Sequence, residues 1–303
     1  MNRTLFWLLT IISIFWITLN VYLLPFHIWT AGVVYPWFIT QGLTLYKDVI
    51  WLRMPFDLFL LSGWYQVFGA TGQAYQLFIW LLLVVLSAAV LRLRRTEDQR
   101  VRIGAFLFFN IVVFPLFLNV EVGELLVGVL VFFLFLVGLR AFSGGKQVWI
   151  FVTGCLAGLV VVTKQNAALV ALVPYLFCFG RGGIRKSIIY SLGVFTPVLF
   201  VALYFFFRGA LYDFLYYSFF TVIGPYRNFE LITHGDGLFI ELAYGVLALP
   251  LVLFWKRLGV KRETVIWLVF LIIALVPSLF PSYLSYRTFT SFALISVIAG
   301  HTL

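Results

Sequence analysis

Apolar residues fill most of the chain in blocks of roughly twenty, each closed by a knot of charge or by Pro and Gly. A helix that crosses about 30 Å of hydrocarbon needs about that length. Such runs lie near 5–24, 73–93, 103–119, 122–140, 147–163, 167–180, 187–207, 238–255, 264–281 and 287–303. The pattern predicts an all-α membrane protein, one polytopic domain over 1–303 with about ten transmembrane helices. Residues 55–69 are also apolar, but they are short for a span and suit an interfacial or re-entrant helix. The first run follows Arg3 and shows no small-residue cleavage site, so it is expected to stay as a signal anchor.

Two segments interrupt the blocks, 25–72 and 208–237. In the first, WTAGVVYPWFITQG and MPFDLFLLSGWYQVFG predict two amphipathic helices lying along the membrane surface, joined by the polar turn LTLYKDVIWLR. Pro55 and Gly69 supply the start and stop marks of the second helix.

Charge orients the chain. With the N-terminus in the cytoplasm and 55–69 kept outside, one side receives Arg3, Arg92, Arg94, Arg95, Arg100, Arg102, Arg140, Lys146, Arg181, Arg185, Lys186, Lys256, Arg257, Lys261 and Arg262. The other side receives Lys47, Arg53, Lys164, Arg208, Arg227 and Arg287 of the 21 Lys and Arg. That asymmetry is what the positive-inside rule requires, and counting 55–69 as a span reverses it. The expected location is the cytoplasmic (inner) membrane, multi-pass. Most carboxylates fall outside, including Asp48, Asp57, Glu121 and Glu124, so the outer face is where acid–base chemistry could occur.

Composition agrees with this reading. The chain is 63% hydrophobic and only 11% charged, with a mean hydropathy of +1.08, more apolar surface than a soluble domain of this length could bury. The net charge of +10 follows from topology, and no basic stripe with interleaved aromatics points to nucleic acid. Cys155 and Cys178 lie in apolar runs and imply no disulfide framework. His234 and Asp236 lack the ligand count of a metal site, so no cofactor is expected.

The string G-L-T-L-Y-K-D, then P-F-D-L-F-L, then G-W-Y-Q-V-F-G, following a cytoplasmic N-terminus and a first span, resembles the integral-membrane GT-C glycosyltransferases. The likeness is to bacterial relatives of the dolichyl-phosphate-mannose protein mannosyltransferases and the lipid A aminoarabinose transferases. Gly42, Tyr46, Asp48, Pro55 and Phe68-Gly69 carry it, and GCLAGLVVVTKQNA is similar to a small-residue helix ending in Thr163, Lys164 and Gln165 at the outer face. Within that helix Gly154 and Gly158 form G-x-x-x-G, which close helix packing explains by itself.

The resemblance implies transfer of a sugar from a polyprenyl-phosphate donor to a glycan, lipid or protein acceptor on the outer face. A lipid-borne donor also suits a chain whose cytoplasmic loops are too short to fold a nucleotide-sugar domain. The chemistry needs a carboxylate to accept the acceptor's proton and cations to meet the leaving phosphate. Candidate bases are Asp48, Glu124, Asp57 and His27; Asp48 could equally organise the loop, and Glu121 and Glu124 could simply suit a helix N-terminus. Lys164 and Arg53 could bind the donor phosphate or snorkel to headgroups. Tyr46, Glu121 and Gln165 are expected to line the cavity. Two positions depart from the family pattern: Ile28 stands where members carry an acid, and Gln76 where many carry arginine. The other readings are a non-catalytic or truncated relative that binds a polyprenyl lipid, and a transporter of lipid-linked sugars.

Overall fold

The computed structural model describes residues 3–23, 28, 30–91, 99–113, 121–142, 146–221, 262–275 and 289–302. Among them the backbone is helical throughout, apart from short connections and one isolated bridge between Leu45 and Val49. Helix α1 spans Arg3–Leu23, α2 Thr30–Thr40, α3 Phe56–Phe68, α4 Gly72–Leu91 and α5 Gln99–Phe108, which continues as a π turn over Phe109–Val113. Helix α6 spans Val122–Phe142 and α7 Gln147–Thr163; a 3-10 turn over Gln165–Ala171 leads into α8, Leu172–Phe207. A short α9, Leu211–Leu215, follows, and α10 (Arg262–Leu275) and α11 (Phe289–Thr302) complete the described elements.

Four of these helices are long and apolar enough to cross a membrane: Thr4–Leu23, Gly72–Leu91, Val122–Phe142 and Gly183–Phe207. Four shorter apolar helices accompany them, at Val101–Ile111, Gln147–Thr163, Gln165–Gly180 and Thr264–Ala274. The expected run near 238–255 lies outside the described residues. The runs expected at 167–180 and 187–207 form one element broken at Gly183, whose φ of 65° takes the backbone out of the helix.

Helix α6 occupies the centre. In its span 78% of the residues are buried, against 22% in Thr4–Leu23 and in Gly183–Phe207. The outer helices therefore present apolar faces such as Ile11, Phe15, Phe200 and Phe207, which is the distribution lipid demands. Helix α7 lies against α6 on one side and α8 on the other. The approach to α8 is close enough that a Cβ on Gly154 would collide with the Tyr190 carbonyl, one on Gly158 with the Val194 carbonyl, and one on Gly193 with the Phe151 carbonyl. The G-x-x-x-G pair thus performs the packing role that its spacing predicts.

Polar groups join α1, α4 and α5. Ser13 Oγ lies 2.7 Å from Ser87 Oγ and donates to Asn110 Oδ1 at 2.8 Å, while Trp16 Nε1 donates to the Asn110 carbonyl at 2.7 Å. Asn110 sits in the π turn, where the widened backbone leaves a carbonyl for Trp16 to reach.

Candidate functional site

The first loop forms as helix, turn, helix. Pro55 precedes α3, and Gly69 closes it with φ 78° and an N–H donated to the Tyr65 carbonyl at 2.9 Å. Helix α2 packs on α3, so the connection at 41–55 folds back over the bundle.

That connection is held by its own polar residues. Asp48 Oδ2 accepts the Thr44 N–H at 2.7 Å and the Asp48 N–H donates to the Thr44 carbonyl at 2.9 Å, a closed turn in which Asp48 is exposed. Tyr46, inside the turn, has φ 69°, a conformation rare for a bulky residue. Its surroundings hold it there. The ring packs on Phe205 at 5.0 Å and Phe214 at 5.3 Å, and the hydroxyl donates to the Arg53 carbonyl at 2.5 Å. Burial pushes the Tyr46 hydroxyl above its ordinary range, so it remains a donor. The side-chain amide of Gln165, just past the end of α7, grips the next stretch at both ends: Nε2 donates to the Leu52 carbonyl at 3.2 Å, and Oε1 accepts the Met54 N–H at 3.3 Å.

Beneath the loop five charged groups converge from four elements. Arg53 Nη1 bonds Glu121 Oε1 at the start of α6. One turn along, Glu124 receives Lys164 Nζ on both carboxylate oxygens at 2.7 Å, with side-chain exposures of only 3% and 12%. Asp57, in the first turn of α3, is the fifth group. Its Oδ1 is buried and has no hydrogen-bond partner among the described residues. Burial first, and then the negative charge of Glu121, push its carboxyl up to about 7; Arg53 and the backbone N–H groups at 57 and 58 pull the other way without prevailing. Three carboxylates thus face two cations, and the group that balances the charge by holding a proton is Asp57.

Gly123 makes this approach possible. A Cβ at that position would stand 2.9 Å from Asp57 Oδ2. Nothing in the one-dimensional pattern marks Gly123, because the carboxylate that needs the space belongs to a helix far earlier in the chain.

Of the expected site residues, Arg53, Asp57, Glu121, Glu124, Lys164 and Gln165 come together, with Tyr46 anchoring the loop above them. Asp48 lies on the outer side of the turn, and His27 lies outside the described residues. Ile28 packs its Cδ1 against Gly72 at the head of α4, an apolar contact at the position where the resemblance implied an acid. Lys47 and Arg208, counted in the sequence only as loop charges, are brought together by the fold: Lys47 Nζ lies 3.8 Å from the place a Gly209 Cβ would take, and the Arg208 guanidinium lies 5.7 Å from the centre of the Tyr204 ring. Among the described residues no group of three or more His, Cys, Asp or Glu is placed to hold a metal ion.

Comparison with known proteins finds no matching family model, curated protein or solved structure.

Proposed function

We propose that the chain is a membrane-embedded glycosyltransferase of the GT-C kind, which takes a sugar from a polyprenyl-phosphate donor and passes it to a hydroxyl or amine acceptor on the outer face. The observation that carries this reading is Asp57. It is a buried carboxyl with one uncommitted oxygen, held by a cluster of paired charges where a surface loop folds over the bundle. A carboxyl that titrates near 7 suits general-base work at physiological pH.

In this reading Asp57 Oδ1 accepts the proton of the acceptor as its oxygen or nitrogen attacks the anomeric carbon. The bond from that carbon to the phosphate oxygen breaks, and the electron pair leaves with the lipid phosphate. The anomeric configuration inverts. Glu121 keeps the base from being too acidic, and Arg53 stops it from being permanently protonated. Glu124 and Lys164 neutralise each other and act as the frame against which α3 is set. Asp48 shapes the loop.

The test is turnover of radiolabelled undecaprenyl-phosphate sugars by the purified protein in nanodiscs. Transfer should rise as pH passes through about 7 and should be lost in Asp57→Asn with donor binding retained. Donor binding without transfer to any acceptor or to water, at any pH, would replace the enzyme with a lipid-binding protein.

A further inference from the structure

Asp57 is closed off from its surroundings. The residue is 6% exposed and its Oδ1 is sealed from solvent, yet a general base must come within hydrogen-bond reach of the proton it takes. An acceptor therefore needs a way in. Two sides of the site are fixed: α3 carries Asp57 itself, and the start of α6 lies so near that a Cβ on Gly123 would stand 2.9 Å from Asp57 Oδ2. Both are regular helices, whose backbone groups bond within the helix. Arg53 lies on the third side. It is the member of the cluster that reaches water, with 31% of its side chain exposed and its guanidinium paired to Glu121.

Arg53 sits on a stretch, 50–54, whose backbone is neither helix nor strand. Side chains hold it. The Leu52 carbonyl accepts from Gln165 Nε2, the Arg53 carbonyl from the Tyr46 hydroxyl and the Met54 carbonyl from Trp51 Nε1 at 3.4 Å, while the Met54 N–H donates to Gln165 Oε1. Neutral bonds of this kind have a small net worth each, so a segment held by them can open locally without melting a helix. Trp51 and Met54 are buried, with the Trp51 ring 4.7 Å from Tyr35 of α2, and they act as pivots. Leu52 and Arg53, between them, are only half-buried. Gln165 grips the chain on each side of Arg53, before it at Leu52 and after it at Met54. Tyr46 is held at φ 69° by contacts that include the Arg53 carbonyl, and letting that carbonyl go lets part of the strain relax.

We propose that Leu52 and Arg53 form a gate over Asp57 with Gln165 as its latch: the gate opens when Gln165 lets go and Arg53 swings off Glu121, and it closes by remaking the same bonds. The proposal rests on the reading of Asp57 as the base, and its claim about access is tested separately. An entering hydroxyl or amine brings its own O–H or N–H to Glu121, so that carboxylate keeps a donor while Arg53 is away. Between turnovers the closed gate keeps water from the base, which protects a glycosyl phosphate from hydrolysis.

The experiment places a thiol at the base with Asp57→Cys and times its modification by a small anionic methanethiosulfonate, using the full chain in nanodiscs. Mass spectrometry separates position 57 from the free Cys155 and Cys178. Labelling should be slow behind the latched gate and about tenfold faster when Gln165→Met is added, the size of effect expected from losing two neutral hydrogen bonds. Tyr46→Phe, which releases the Arg53 carbonyl by a different change, should raise the rate as well. Gln147→Leu, at an exposed glutamine on α7, should not. Amide exchange in α3, followed alongside, should stay the same throughout. Labelling at one rate with and without the latch, or a rise in α3 exchange that matches the rise in labelling, would overturn the gate, since access would then bypass Gln165 or come from unfolding of the helix. Latch-dependent labelling in a protein that transfers no sugar would uphold the gate and reject the enzyme; transfer by a protein whose labelling ignores the latch would do the reverse.

Discussion

Asp57 ties stability to pH in a direction unusual for an aspartate. Its carboxyl titrates at about 7 in the fold against an ordinary 3.8. The folded state therefore binds a proton that the unfolded chain has already released through the interval between those values. The sign follows from linkage: a raised folded value gives stability that is complete below about pH 4 and is lost as pH climbs through about 7. At about 1.4 kcal/mol per pH unit, the gap corresponds to roughly 4 kcal/mol between acid and mildly alkaline solution. Asp57→Asn keeps the shape and removes the titration. Denaturant unfolding in mixed micelles, followed by tryptophan fluorescence from about pH 5 to about pH 8, should show wild type losing stability with rising pH and the variant nearly flat across that window. The two should converge at the acid end, with the variant ahead at the alkaline end. Glu121→Gln, which removes the neighbouring negative charge, should flatten the wild-type slope in part. A variant that is less stable than wild type at about pH 8, or a slope that survives Asp57→Asn, would mean the aspartate is ionised and satisfied in the fold, and the charge count of the cluster would have to be redrawn.

Other consequences concern the frame. Lys164→Met leaves Glu124 buried without its cation and should destabilise by about 3–5 kcal/mol, most of it recovered in Lys164→Met/Glu124→Leu; thermal unfolding of the two variants in detergent checks the pairing. Tyr46→Phe removes the hydrogen bond to the partly buried Arg53 carbonyl and should cost about 1 kcal/mol, read by the same melts and by faster proteolysis between α2 and α3. Gly154→Leu must separate α7 from α8 and should reduce the yield of folded, monodisperse protein on size exclusion, whereas Gly63→Leu, at an open position on α3, should leave it unchanged.

Much of this was legible along the chain. Helix boundaries follow from local rules: Pro55 and Gly69 bracket α3, and twenty-residue apolar runs mark α4 and α6, because backbone groups in hydrocarbon must be satisfied within their own helix. The first loop was readable as helix, turn, helix for the same reason, and the spacing of Gly154 and Gly158 forecast a close helix contact without naming its partner. The separate runs at 167–180 and 187–207 were legible too, and the structure sets the break between them at Gly183.

The site was legible only as a set of charged residues. Local sequence placed Asp48, Asp57, Glu121, Glu124, Arg53 and Lys164 near the ends of helices, and chemistry allowed any of the acids to be a base. Tertiary structure gives each of them different surroundings. Asp48 meets the Thr44 N–H, Glu121 meets Arg53 and Glu124 meets Lys164, while Asp57 Oδ1 meets no donor among the described residues. Lys47 and Gly209 lie more than 160 positions apart, and only the closing of the Tyr46 turn onto the end of α8 sets them side by side. Hydrophobic runs are a property of neighbours in sequence and can be read there; desolvation and charge pairing are properties of neighbours in space, and the fold alone assigns them.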